Sequence, residues 1–215
     1  MAQVNNPIIG HARGKVGSVV FSTWKGKNII KEKPATVANP RTANQVANRS
    51  RFVAMIALAK LLRPLLPTGF REYASKVTWM NRFMTVNSSN DAFYYDLMNT
   101  TWDVNYQYVV ISEGSLFPTP ISATASAGSN TITVNWTTLS NGNQNNLDQF
   151  CVLAIVDGYT HQELNAEVRE TGVCEITPPT GTLIVGGNAY VIGFFKSPDG
   201  LKVSNSIGVS LQVTA

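Results

Sequence analysis

The chain has 215 residues, with 17 Lys plus Arg, 13 Asp plus Glu, two His and two Cys. An apolar fraction of 44% is enough for a real core and excludes wholesale disorder, and two cysteines are too few for a disulfide-rich secreted scaffold. The net charge of +4 hides an uneven distribution: residues 1–86 hold 14 Lys and Arg against Glu32 and Glu72, net +12, while residues 87–215 hold three against 11, net −8.

The length fits two domains of about 100 residues each, or one larger one. Residues 1–10 contain Asn5, Asn6 and Pro7 where a secretory signal needs a basic start and an apolar run, so no signal peptide is expected. The most apolar stretch, 52–66, is interrupted by Lys60, Arg63 and Pro64 and is shorter than the roughly 20 residues of a spanning helix. A soluble chain without a membrane partner is expected.

Val16, Val19, Val20, Phe21 and Trp24 lead into Lys25-Gly26-Lys27, and Asn28-Ile29-Ile30 resumes an extended run that Pro34 stops. This pattern predicts a β-hairpin. Asn39-Pro40-Arg41-Thr42 followed by Gln45 reads as a reciprocal capping box opening a helix. Val46, Val53, Ile56 and Lys60 share one helical stripe, with Phe52, Met55, Ala59 and Leu62 beside it, and Pro64 ends the helix. A second helix is predicted over about 70–84 from Phe70, Tyr73, Val77, Met80 and Met84, and a short helical turn within 91–99. The alternation after Trp102 predicts a strand.

From about Phe117 the chain changes to Thr-, Ser-, Val- and Ile-rich runs separated by Gly, Asn and Pro. Strands are predicted over 121–127, 131–139, 149–156, 173–177, 189–197 and 203–213. Ile132, Val134 and Trp136 share one face of the second of these, and Tyr190, Ile192 and Phe194 one face of the fifth, the pattern of a sheet with one buried side. The fold class expected is an α+β N-terminal domain over 1–116, a hairpin plus helices, followed by an all-β immunoglobulin-like sandwich over 117–215.

No constellation for catalysis assembles. His11 and His161 lack a companion nucleophile or HExxH spacing, the glycines at 10, 14 and 17 match neither GxGxxG nor a P-loop, and the acidic residues of the second half fit no calcium loop. Cys151 and Cys174 have no zinc-site spacing. They read as two reduced, buried thiols in preference to a disulfide. No enzyme activity, cofactor or metal is expected.

Two resemblances follow from these residues. Gly14-Lys15-Val16-Gly17, Trp24-Lys25-Gly26, Lys33-Pro34 and Asn39-Pro40-Arg41-Thr42, then Gln45, Arg49 and Phe52, resemble an uncharacterised family of proteins from Bacteroidota and their phages. Trp136, the run Ile184-Val185-Gly186-Gly187-Asn188-Ala189-Tyr190 and the closing strand resemble a fibronectin type III or immunoglobulin-like sandwich. The first resemblance implies a virion or assembly component, and the second implies a fold with little bearing on function.

The basic excess is the feature with functional leverage. Lys15, Lys25, Lys27, Lys31, Lys33, Arg41, Arg49 and Arg51, interleaved with Trp24 and Phe52, are the candidate contacts for nucleic acid or an acidic partner. Oppositely charged ends on one chain also favour head-to-tail association. The expectation is a non-enzymatic phage virion protein that forms a homo-oligomer or docks on other virion proteins, with packaged nucleic acid as a further partner. The alternatives are a nucleic-acid-binding protein using the basic module and a surface adhesin using the sandwich.

Overall fold

The computed structural model describes residues 13–23, 26–36, 41–96, 98, 101–138, 146–156 and 158–215, with the backbone alone at 2–4 and 24. The described chain is mostly β with few helices, and it divides into two compact units, Met1–Gln45 and Val46–Ala215. No helix among the described residues is long and apolar enough to cross a membrane.

The first unit is an antiparallel sheet of β1 (Ala2–Val4), β2 (Gly14–Val16), β3 (Val19–Trp24) and β4 (Lys27–Glu32), in the order β1-β4-β3-β2. The expected hairpin is β3–β4. Its turn depends on Gly26, whose φ of 77° lies in the left-handed region that side chains avoid. Of the expected reciprocal capping box one half is seen: the Gln45 amide donates to Thr42 Oγ1 at 3.4 Å, and α1 (Ala43–Leu61) follows.

In the second unit, α1 buries Met55, Leu58 and Ala59, with Leu62 just beyond its end. This i, i+3, i+4, i+7 set is one helical face. The single helix predicted over 70–84 is instead broken into α2 (Leu66–Gly69), a 3-10 turn at Arg71–Tyr73 and α3 (Trp79–Ser88). Thr78 is the reason for the later start. Its backbone is extended and its hydroxyl accepts the Asn81 amide at 3.2 Å, so it caps α3 where a continuous helix would run through. The helical turn predicted within 91–99 is also corrected: Phe93–Asp96 forms β5, antiparallel to β6 (Thr101–Val104). Three consecutive aromatics suit an extended backbone, and the Tyr95 ring meets Trp102 edge-on at 5.6 Å across the pair.

The remaining strands are β7 (Ile121–Ser126), β8 (Thr131–Trp136), β9 (Gln149–Val156), β10 (Tyr159–Val168), β11 (Val173–Ile176), β12 (Asn188–Lys196) and β13 (Ile207–Thr214). They form one large, nearly closed sheet in the order β10-β9-β12-β13-β7-β8-β11, with β13 and β7 parallel. Six of the seven match the predicted runs. The seventh, β10, is an edge strand rich in polar residues (Tyr-Thr-His-Gln-Glu-Leu-Asn-Ala-Glu-Val), which conceals the period-2 signal.

Inside the curled sheet, Ile132, Val134, Trp136, Phe150, Val152, Val191, Phe195 and Val213 form one core. On the outer face, Cys151, Leu153, Ile155, Ile192 and Phe194 join Met55, Leu58, Leu62, Phe70 and Phe83 in a second core. Strands β9 and β12 are therefore buried on both faces, which corrects the expectation of one buried side. Polar contacts hold the helical segment to the sheet: the Ser112 hydroxyl donates to the Ser204 carbonyl at 2.6 Å, and Glu72 Oε1 accepts the Ser115 and Val203 amides, each at 2.9 Å. Packing is thus continuous across residue 116.

Candidate functional site

The basic residues of the first unit are placed by strand register. Lys15 on β2 faces Val20 on β3, which faces Lys31 on β4, and Lys27 is paired with Trp24. Cross-strand partners lie on the same side of a sheet and alternate residues share a side, so Lys15, Lys27 and Lys31 belong to one face. The other face carries Val16, Val19, Phe21 and Ile30. Lys15, Lys27, Lys31, Lys33 and Arg41 are exposed, and none of them has an ion pair with a described residue. The sheet thus presents Lys15, Lys27 and Lys31 on one side, unpaired with any described acidic residue. Lys25, His11 and Asp157 lie outside the described residues, as does the Trp24 side chain.

Arg49 and Arg51 belong to the second unit and differ from each other. Arg49 is exposed on α1, near Val46, Phe52 and Val53, which are 50%, 57% and 67% exposed. These apolar side chains lie away from the buried Met55 face, so α1 has an apolar and basic outer side. Arg51 turns inward: its guanidinium stacks over the Trp102 ring at 5.1 Å and donates to the Ser88 carbonyl at 2.9 Å, while Trp102 Nε1 donates to the Ala47 carbonyl. It orients the β5–β6 hairpin against α1 and does not join the exposed cations.

Among the described residues, the charged side chains removed from solvent are Arg169 and its partner Asp148, which no sequence pattern joins. Arg169 is fully buried, with Nε 3.2 Å from Asp148 Oδ2, a hydrogen bond to Thr119 Oγ1 and its guanidinium 3.8 Å above the Phe195 ring. Its carbonyl accepts the Trp136 indole N–H at 2.9 Å. Burial pulls the Arg169 pKa down and Asp148 opposes this. The arrangement ties the 3-10 turn Arg169–Thr171, the 146–148 segment and β8 together, a structural task. A second cluster joins Arg82 to both Glu113 oxygens, with the Tyr73 hydroxyl donating to Glu113 at 2.9 Å. That hydrogen bond, then burial, raises the Tyr73 pKa.

Cys151 and Cys174 are both free and buried, one in the outer core and one in the inner. Burial raises both pKa values, Cys174 to about 11, with Glu163, Glu167 and Glu175 adding to the latter. Such thiols are poor nucleophiles. His161 contacts Glu163 at 3.3 Å. Among the described residues, no group of three or more His, Cys, Asp or Glu is placed to hold a metal ion.

In comparison with known proteins, residues 11–210 match a family of unknown function (DUF6266), and the chain belongs to it. No curated protein matches the chain.

Proposed function

For a member of a family whose function is not known, we propose a non-enzymatic structural role: a phage virion component that self-associates or docks on other virion proteins through its basic N-terminal part. The observation that carries this reading is the charge polarity, net +12 before residue 87 and −8 after it, together with three lysines on one face of the first sheet. A cationic face and an anionic remainder on the same chain complement each other between copies, a heterologous geometry that closes into rings or extends. The outer side of α1, with Val46, Phe52, Val53 and Arg49, adds apolar area for such a contact.

An immunoglobulin-like sandwich over 117–215, after an α+β module over 1–116, is supported by the curling of the seven-stranded sheet around Trp136, Phe150 and Phe195. The likeness to Bacteroidota and phage proteins rests on the Gly14-Lys15-Val16-Gly17, Trp24-Lys25-Gly26 and Asn39-Pro40-Arg41-Thr42 motifs.

Light scattering on the full chain tests the assembly. Oligomers at low salt that dissociate at high salt, and that are lost when Lys15, Lys27 and Lys31 are reversed to Glu, are the expected result. A monomer at high concentration that binds no virion protein refutes it. The exposed lysines, without ion pairs among the described residues, also favour a second reading, direct nucleic-acid binding. A salt-dependent gel shift of DNA or RNA by the full chain, abolished by reversing Lys27, Lys31 and Lys33, selects that reading.

A further inference from the structure

The outer face of β12 and β13 is used in two ways. Towards one end, Ile192 and Phe194 are buried beneath the helices. Towards the other, Asn188 pairs with Gln212 and Tyr190 with Ser210 across the two strands, so all four lie on that same face beyond the helical cover. There they line, with Leu211, a cavity of about 280 Å³.

A wall stands beside this floor. The 3-10 turn Tyr106–Tyr108 sits on β13 at Gly208, where a Cβ would lie 2.6 Å from the Gln107 carbonyl oxygen, so only glycine admits the contact. The close approach sets the Tyr106 ring 5.4 Å from the Tyr190 ring, tilted by 50°, and Ser210 Oγ donates to Gln107 Oε1 at 3.4 Å. Tyr94, 48% exposed, donates to Asp103 Oδ2 at 3.1 Å beside the same group. Burial, then Asp103 and Tyr190, raise the Tyr106 pKa, which keeps its hydroxyl a neutral donor.

The chemistry of these groups selects a ligand class. Asn188 and Gln212 each offer a donor and an acceptor in one plane, which matches a pair of neighbouring hydroxyls that also donate and accept. Tyrosine rings offer flat apolar faces for C–H groups, with a hydroxyl at the rim. Among the described residues, no Lys, Arg or His lines the cavity, and Asp103 lies close to Tyr106 beside it, so phosphate, sulfate and uronate are disfavoured. Two amides and a hydroxyl are too polar for a purely apolar occupant.

We propose that this notch on β12 and β13, whose Tyr190 and Ser210 are held by the 106–108 turn, binds an uncharged oligosaccharide, with Tyr190 under a pyranose ring and Asn188 and Gln212 on its hydroxyls. The site is shallow and open, and the affinity expected for a single sugar chain is a Kd on the order of 1 mM. It is independent of the assembly proposed above, since none of the basic residues contributes to it.

The experiment titrates the full chain with maltohexaose, cellohexaose, mannohexaose, xylohexaose and chitohexaose, followed by protein-observed NMR. Resonances of 188–190 and 210–212 are expected to shift with at least one of these sugars. Asn188→Ala is expected to weaken binding by about tenfold, the effect of one lost polar contact in a small site. Tyr190 also touches the core, so the deciding variant is the surface change Ser210→Trp, which fills the notch and is expected to abolish binding with the circular dichroism spectrum unchanged. Binding retained in Ser210→Trp, or no shift with any of the five sugars up to about ten times that Kd, overturns the assignment.

Discussion

Replacing Asp148 by Asn removes a single charge from the most enclosed polar site of the fold. Asp148 is 1% exposed and Arg169 is fully enclosed, so neither solvent nor salt screens the guanidinium once the carboxylate is gone. The neutral acceptors that remain to it, Thr119 Oγ1 and the Phe117 carbonyl at 3.4 Å, hydrogen-bond the group without neutralising it. Breaking one partner from a buried pair costs about 3–5 kcal/mol. At about 2–4 °C per kcal/mol for a chain of this size, Asp148→Asn is expected to lower Tm by roughly 6–20 °C. Arg169→Met, which keeps most of the volume over Phe195, is expected to fall in the same range. The double variant Asp148→Asn/Arg169→Met is expected to lose less than the sum of the single changes by about 0.5–3 kcal/mol, because it leaves no uncompensated charge. Urea unfolding followed by tryptophan fluorescence measures all three. If either single change costs under about 1 kcal/mol, or the double variant is additive, the pair is not the enclosed electrostatic unit argued here.

Other expectations rest on separate contacts. Gly208→Ala drives a Cβ against the Gln107 carbonyl and is expected to cost about 1–3 kcal/mol in urea unfolding; a neutral effect would mean that the 106–108 turn is not seated on β13. The Asp199 carboxylate accepts hydrogen bonds from the Ser197 hydroxyl and the Leu201 amide, which hold its pKa below the ordinary 3.8. Its folded value is depressed, so its contribution is present above pH 3.8 and lost as pH falls through the folded value; an NMR titration is expected to show this, and Ser197→Ala to move the midpoint up. Cys174 has the opposite sign. Its raised pKa means that its contribution is full below the ordinary 9.0 and lost as pH rises through about 11, and Cys174→Ala is expected to flatten that alkaline loss in pH-dependent melting curves. Both thiols are expected to react with Ellman's reagent only on unfolding; rapid modification of the native chain would contradict their burial.

Much of the local structure is written in residues that act within a few positions of themselves. The hairpin around Gly26, the Thr42 cap and six strands of the large sheet depend on turn glycines, capping hydroxyls and alternating apolar side chains, all visible in one dimension. The charge polarity is of the same kind, since it needs only a count. Where local signals compete, the tertiary structure decides. The 70–84 segment has helical spacing throughout, yet Thr78 caps a new start, and β10 is a strand because β9 offers it a partner despite its polar composition. The roles of the arginines are equally long-range: Arg51 and Arg169 look like other cations in the sequence, and only Trp102 and Asp148, 51 and 21 residues away, turn them inward. The notch beside Tyr190 has no sequence motif, because its parts come from residues 188–190 and 210–212 and meet only through the pairing of β12 with β13. The sequence determined the charge and most of the local elements, and the packing of the helices on the outer face of β9 and β12 decided which side chains stay exposed.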